Sequence, residues 1–516
     1  MDNAGAGGVD TERKNPLISF LSHVEASRGS ISTASLMDVS TYANLNPSEK
    51  FQALCTTLSD LKKLKTALRK TSEIIECAIV NFKEETLPLS LQCGIRTLPD
   101  KIIERILELA CEGGNPQTPG PHHKFPILLS HISRRFRSLA LQAPHIWANL
   151  SSQLSREGLK KFLARSRSVD LGVYIYDASD DYDQDARLLL KDFLKIVIQH
   201  KDRWSELQYH RFGINSVHGY SHPAFAAHRN LKLPRLQSLT YEKYEFCSMW
   251  EGRHRDLPNF FASWSMPKLC RFDGRNSSVQ YRGISKSLTS CTLHFATDDE
   301  DDERNLHGSL EALSSISQLK HLVLKLSDHY KCNDAPLVGT ILLQQLVSFK
   351  IDLKEDVESN SLTSLLSVLK MPRLIDMSAI IDIRSSNGDL IHYAITDAAT
   401  RCSTLQKFTL EATNMVFRES VLWMLALQLP SLHEVILRGH GLCEGRFCHD
   451  QPPNWRSLRV ESISLWDQKG LIKVVELMAK GRHWNDFRLH LVDCGGLSPV
   501  IPKLRILLGN KLHYET

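Results

Sequence analysis

A six-residue template, bulky-x-x-apolar-x-apolar, recurs through the last two-thirds of the chain and narrows the available folds more than any other feature. It reads WSELQY from Trp204, LQSLTY from Leu236, LCRFDG from Leu269, LTSCTL from Leu288, LKHLVL from Leu319, LVSFKI from Leu346, LIDMSA from Leu374, LQKFTL from Leu405, LHEVIL from Leu432, VESISL from Val460 and WNDFRL from Trp484. Successive starts lie 32, 33, 19, 31, 27, 28, 31, 27, 28 and 24 residues apart, and several copies are introduced by LPR, MPK, MPR or LPS. Alternation within the template predicts a strand, with apolar side chains on one face and the x positions on the other. Between copies, LHGSLEALSSI from Leu306, SLTSLLSVL from Ser361 and ESVLWMLALQL from Glu419 carry helical spacing. A unit of one strand and one helix cannot cover its own apolar face. Stacked units cover one another, so the expected class is α/β, a solenoid with a parallel sheet.

The spacing is near the period of leucine-rich repeats. One position departs from that pattern: where a buried Asn or Cys is usual, this chain has Tyr244, Ser327, Thr413 and His440, with Asn414 one residue late. An irregular solenoid is therefore predicted, with its backbone groups satisfied differently from repeat to repeat.

The N-terminal third divides by pattern. Residues 1–46 are rich in Gly, Ser, Ala and Thr without periodicity and predict a mobile tail. Asn46-Pro47 starts a helix over 47–90, in which Leu54, Leu61, Leu68, Ile75 and Phe82 follow at steps of seven. The companion positions Thr57, Leu64, Thr71 and Ala78 are only partly apolar, so the seam serves either self-association or packing on the chain's own domain, and Pro88 ends the helix. A module over 95–151 follows. Leu98-Pro99 opens a helix whose Ile102, Ile103, Ile106, Leu107 and Leu109 form an apolar stripe. Leu128, Leu129, Ile132, Phe136, Leu139 and Ala140 form another around the basic SRRFR segment, and Pro144, Ile146, Trp147 and Leu150 close the module. Two or three short helices with this many apolar side chains leave some exposed, which points to docking.

From 152 onward the chain belongs to the array. Leu154, Leu159, Phe162 and Leu163 predict a helix with a solvated basic face, and Val169 to Tyr176 alternates as a strand. Net charge is +5, from 63 Lys and Arg against 58 Asp and Glu, which makes no case for a nucleic acid or membrane partner. No apolar run is long enough to span a bilayer, and the N-terminus lacks the apolar core of a secretory signal. Twelve cysteines without paired spacing fit reduced thiols in cytoplasm or nucleus. The acidic run Asp298 to Arg304 lacks calcium-loop spacing and reads as a solvated loop. Cys443, Cys448 and His449 lack a fourth zinc ligand at ordered spacing, and His122 and His123 read as loop residues. No phosphate loop, nucleophile elbow or HExxH helix occurs, so no enzyme active site, metal or cofactor is predicted.

LPDKIIERILEL followed by LLSHISRRFRSLALQAPHIWANL resembles the F-box: Leu98, Pro99, Ile102, Ile103, Ile106 and Leu107 match its first part, and Ile132, Arg135, Phe136, Leu139, Pro144 and Trp147 its second. Lys101 replaces a common acid, Ser133 and Phe136 replace the usual Cys and Trp, and a Gly/Pro/His-rich insert runs from Glu112 to Lys124. The wider layout is similar to F-box proteins of mushroom-forming fungi, through LKKFLARSRSVDLGVYIY after Trp147 and HKDRWSEL at His200 to Leu207.

The resemblance implies a non-enzymatic substrate receptor of an SCF-type cullin-RING ubiquitin ligase. Leu98, Pro99, Ile102, Ile103, Ile106, Leu107, Leu128, Ile132, Phe136, Leu139, Pro144 and Trp147 would bind the Skp-type adaptor, with Trp147 as the anchor. The repeats would hold a protein substrate through x positions such as Lys320, His321, Gln406, Lys407, His433 and Glu434. The alternative is a leucine-rich-repeat scaffold acting outside a ubiquitin ligase.

Overall fold

The structure is a computed structural model. It describes residues 46–112, 124–177, 184–213, 225, 228, 230–245, 260–275, 286–295, 300–327, 339–354, 357, 359–382, 388–418, 425–443, 452–462, 465–466 and 468–515. The expected tail, the insert with His122 and His123, Asp298, Asp299, Cys448 and His449 lie outside the described residues, as do the side chains of Tyr244, Asn414, His440 and Cys443. The chain forms two compact units, Met1–Ile103 and Glu104–Thr516.

In the first unit, α1 is one continuous helix, Pro47–Thr97. Asn46 caps it, its Oδ1 accepting from the Glu49 backbone N–H at 2.9 Å, and Pro47 occupies the first turn, where its missing N–H costs nothing. The expected stop at Pro88 does not occur: Pro88 lies inside the helix. Proline deprives the carbonyl four residues earlier, that of Glu84, of its donor. Glu84 and Pro88 are both exposed, so water can serve that carbonyl.

The second unit is dominated by a parallel sheet whose fourteen strands follow one another in sequence order. They are β1 Asn149–Ser151, β2 Leu171–Asp177, β3 Trp204–Gly213, β4 Ser238–Glu245, β5 Arg271–Arg275, β6 Ser290–Phe295, β7 His321–Leu326, β8 Ser348–Lys354, β9 Asp376–Asp382, β10 Lys407–Arg418, β11 Glu434–Cys443, β12 Ser457–Glu461, β13 Arg488–Val492 and β14 Leu512–Glu515. The pair Leu465–Trp466 adds to β11. Strand-by-strand growth with long connections is the architecture of a solenoid.

The core is a set of rows crossing the sheet. Leu150, Val173, Leu207, Leu239, Phe272, Cys291, Leu322, Phe349, Met377, Phe408, Val435, Leu458 and Leu489 stand in register, all buried. These are the fourth positions of the template in nine of its eleven copies. The other two are corrected. Register makes WRSLRV from Trp455 the true copy in β12, five residues before VESISL, and sets β13 two residues later than WNDFRL. Trp455, buried, takes the place of the leading leucine. Helices supply the opposite layer: Leu306, Leu310 and Leu313 of Glu300–Ser314, Leu362, Leu365 and Leu366 of Ser359–Val368, and Ile391 and Ile395 of Gly388–Thr400 are buried. The first of these helices begins at Glu300, so the part of the acidic run from Glu300 to Arg304, expected as a loop, is helical.

Without a regular Asn ladder, the turn into each strand is held by a carbonyl spine. The carbonyls of Gln237, Cys270, Thr289, Lys320, Val347, Ile375, Gln406 and His433 each accept two successive N–H groups from the next repeat, for example Lys320 and His321 on Thr289 at 2.9 and 3.0 Å. Hydroxyls just before the template reinforce it. Ser287, Thr404 and Ser431 each donate toward two carbonyls of the preceding repeat, Leu269, Leu374 and Leu405 among them. Asn454, before Trp455, donates to the Pro430 carbonyl at 3.1 Å.

Candidate partner-docking helices and the open face of the sheet

Of the residues expected to dock a partner, Leu98 and Pro99 precede α2 and the rest sit on three helices and a tight turn: α2 Asp100–Glu112, α3 Lys124–Ile132, α4 Arg134–Gln142 and the 3-10 turn Pro144–Trp147. Ser133 caps α4, its Oγ accepting from the Phe136 N–H at 3.2 Å. The Ser133 hydroxyl thus starts the helix.

Burial divides the twelve expected residues. On α2, Ile103 and Leu107 are buried while Ile102 and Ile106 are each 48 % exposed. Adjacent helical positions differ by about 100°. The single stripe read from the sequence is thus two faces, one spent inside and one open. Leu109 extends the open one. On α3, Leu128 and Ile132 are 64 % and 62 % exposed, and Ile127 is exposed as well. Phe136, Pro144 and Leu98 are half-buried, Leu139 is buried and Pro99 is exposed. Ile127 and Leu141 are outward apolar residues that sequence reasoning did not assign; their helical positions relative to Leu128 and Leu139 were the available signal.

Trp147 has a different place from the one expected. It is 1 % exposed, its Nε1–H donates to the Ala140 carbonyl at 2.6 Å, and its ring meets Phe162 edge-on at 4.9 Å. Arg165 lies 4.2 Å above the ring. Phe162 and Arg165 belong to α5, Arg156–Arg165, so the tryptophan ties α4 to the first helix of the array rather than offering itself at the surface. No gap separates module from array, since β1 follows Trp147 at once and pairs with β2. Gly172 of β2 faces Asn149 there: a Cβ would lie 2.9 Å from both Asn149 Oδ1 and Tyr174 Cε2. Arg203 secures the turn into β2, donating to the Val169 and Ser166 carbonyls and to Ser166 Oγ.

The expected substrate residues fall in two places. Gln406, Lys407, His433 and Glu434 start the neighbouring β10 and β11, where Lys407 Nζ approaches Glu434 Oε2 at 3.4 Å. Lys320 and His321 start β7, three strands away along the sheet. At about 4.8 Å per strand that is roughly 14 Å, and His321, Lys407 and Glu434 stand in one register row joined through Ser348 and Asp376.

A denser constellation lies one position beyond the template, on the open face. Tyr176, His210, Glu242, Arg275, His294, Lys325 and Asp352 stand in register from β2 to β8, with Asp273 in the adjacent row. Tyr176 stacks on His210 at 5.3 Å, and His210 Nδ1 lies 2.8 Å from Glu242 Oε2. His294 Nε2 is 3.0 Å from Ser327 Oγ. Burial, opposed in part by Lys325, pushes the Asp273 carboxyl up to about 6. Burial and the nearby Arg275, Lys325 and Lys354 push His294 down to about 4. At neutral pH the cluster therefore holds a desolvated carboxylate and a neutral imidazole.

Farther along, the same row is self-neutralised: Arg438 bridges Glu411 and Glu461, and Arg459 also reaches Glu461. These contacts raise the Arg438 pKa and hold Glu461 low. Among the described residues no group of three or more His, Cys, Asp and Glu is placed to hold a metal ion, and no helix is long and apolar enough to cross a membrane. Compared with protein-family models and with curated proteins, the chain matches none.

Proposed function

We propose that the chain is a substrate receptor that couples a captured protein to a ubiquitin ligase through a Skp-type adaptor. The observation that carries this reading is the outward apolar side of α2 and that of α3, on which Ile106, Leu109, Leu128 and Ile132 remain exposed. Exposed apolar residues grouped on short helices are a mark of protein interfaces. The resemblance of this segment to the F-box supplies the adaptor's identity. The array supports the second half of the reading, because its open face carries a cluster of desolvated and charged side chains from β2 to β8.

Co-purification with a Skp-type adaptor tests it. The intact chain is expected to capture the adaptor, and Ile106→Asp with Leu128→Asp is expected to abolish capture without lowering the melting temperature, since both side chains already face water. Failure of the intact chain to bind sinks the proposal. Trp147→Ala is the matched control: its effect is predicted on stability first.

A further inference from the structure

We infer that α1 pairs with α1 of a second copy of this chain, antiparallel, crossing near Ser72. This goes beyond the receptor reading and does not depend on it.

The helix is 51 residues long, and Phe51, Leu54, Leu58, Ile74, Ile75, Ile79, Val80 and Phe82 are all exposed on it. Six of those eight fall on one alternating three-and-four series: 51, 54, 58, 61, 65, 68, 72, 75, 79, 82. This is the seam of a two-stranded coiled coil. It differs from the pairing of Leu54, Leu61, Leu68, Ile75 and Phe82 with Thr57, Leu64, Thr71 and Ala78. The better companions are Phe51, Leu58 and Ile79, with only Lys65 and Ser72 polar. A helix of this length that shows its apolar stripe to water needs a second apolar surface.

Charge selects a second copy and its direction. Lys62, Lys63, Lys65, Arg69 and Lys70 place five cations in nine residues with no acid among them. Glu73, Glu76, Glu84 and Glu85 follow, relieved only by Lys83. Within the helix only Arg69 and Glu73 bridge these two stretches, at 3.0 Å, and that pair is exposed. A parallel pair would set five cations against five and four carboxylates against four. An antiparallel pair sets each cationic stretch against the other copy's acidic one, and the midpoints of the two stretches, near 66 and 79, place the crossing at about 72. Near that crossing the seam brings Leu68 and Ile75 of each copy toward the other's, and complementary charge fixes orientation.

The test is the oligomeric state of the full chain by light scattering and sedimentation at 50 mM salt. A dimer is expected, weakened at 500 mM salt, where exposed charges more than about 3–5 Å apart are largely screened. Ile75→Asp with Ile79→Asp is expected to yield monomer. Reversing the cations (Lys62→Glu, Lys63→Glu, Lys65→Glu, Arg69→Glu, Lys70→Glu) is expected to weaken the dimer by more than about tenfold. Adding Glu73→Lys, Glu76→Lys, Glu84→Lys and Glu85→Lys in the same chain is expected to restore it. A parallel pair would be indifferent to the first reversal, since like would still face like, and that result overturns the inference. So does a monomeric intact chain, or a dimer that survives Ile75→Asp with Ile79→Asp. Adaptor capture is read separately on the same samples, so loss of dimer and loss of the receptor reading remain distinct.

Discussion

Asp273→Asn is expected to stabilise the array at neutral pH, and by an amount that disappears in acid. Asp273 sits on the open face of β5 with its carboxyl raised from 3.8 to about 6, chiefly by burial. A rise of about two pH units corresponds to roughly 3 kcal/mol favouring the protonated form in the folded chain. Because the folded value lies above the unfolded one, the stabilisation is complete below about 3.8 and is lost as pH rises through about 6. His294, one strand away, has the opposite sign. Its folded value falls from 6.5 to about 4, so its contribution is present above 6.5 and is lost as pH falls through about 4, again roughly 3 kcal/mol. Between pH 4 and 6 the two offset each other, and the wild-type array should be nearly flat in respect of this pair. Asp273→Asn leaves His294 unopposed; His294→Gln leaves Asp273 unopposed. Urea unfolding of each variant and of the wild type at pH 4.5, 6.0 and 7.5 measures the differences, in which all other titrating groups cancel. Asp273→Asn should exceed wild type by about 2 to 3 kcal/mol at pH 7.5 and converge on it toward pH 4. A difference that is the same at pH 4.5 and 7.5 would refute burial as the cause.

Trp147→Ala should destabilise the junction of α4 and α5 by about 3–5 kcal/mol, seen as faster hydrogen exchange in 134–165. Trp147→Phe keeps a ring against Phe162 but leaves the buried Ala140 carbonyl without its donor, at about 1–3 kcal/mol, so the two variants should rank in that order. Gly172→Val should separate β1 from β2, because the added atoms meet Asn149 and Tyr174 at under 3 Å; exposure of 149–151 to protease reports it. Pro88→Ala should raise helix content and thermal stability of α1, since alanine restores a donor where proline costs about 3 kcal/mol in a helix interior, and circular dichroism of the full chain measures the change.

The array was legible because its signal is redundant. Nine copies carry the fourth-position apolar residue that register later places in one row, and misplacing two copies did not alter the architecture. The errors share a cause, which is that a local pattern does not say which of two apolar candidates tertiary packing will bury. Val460 and Leu458 both suit a strand, and only the neighbouring strands decide that Trp455 takes the leading place. On α2, four apolar residues at 102, 103, 106 and 107 were read as one stripe although they span two faces. Trp147 looked like an interface anchor because it is large and ends the module, yet the same size makes it the piece that fills the space between α4 and α5. Pro88 does not stop the helix because its cost falls on a carbonyl that water can reach. The charged row from His210 to Asp352 stands one position after the template, where the repeat pattern carries no signal.

Asp273 and His294 differ from the ion-pair network beyond them in how their solvation is replaced. Arg438, Glu411, Glu461 and Arg459 satisfy one another at side chains that are partly open to water, so a ligand there must compete with bonds already made. Asp273 and His294 are held in protonation equilibria displaced by burial, which means the fold has removed water from them without supplying full charge compensation. A partner that brings a hydrogen-bond donor to Asp273 would regain what burial took away, and the gain is larger than for an equal contact at Arg438 because the solvation has already been lost. Under the proposed function, recognition is therefore expected to centre on β4 to β8 rather than on β10 to β12.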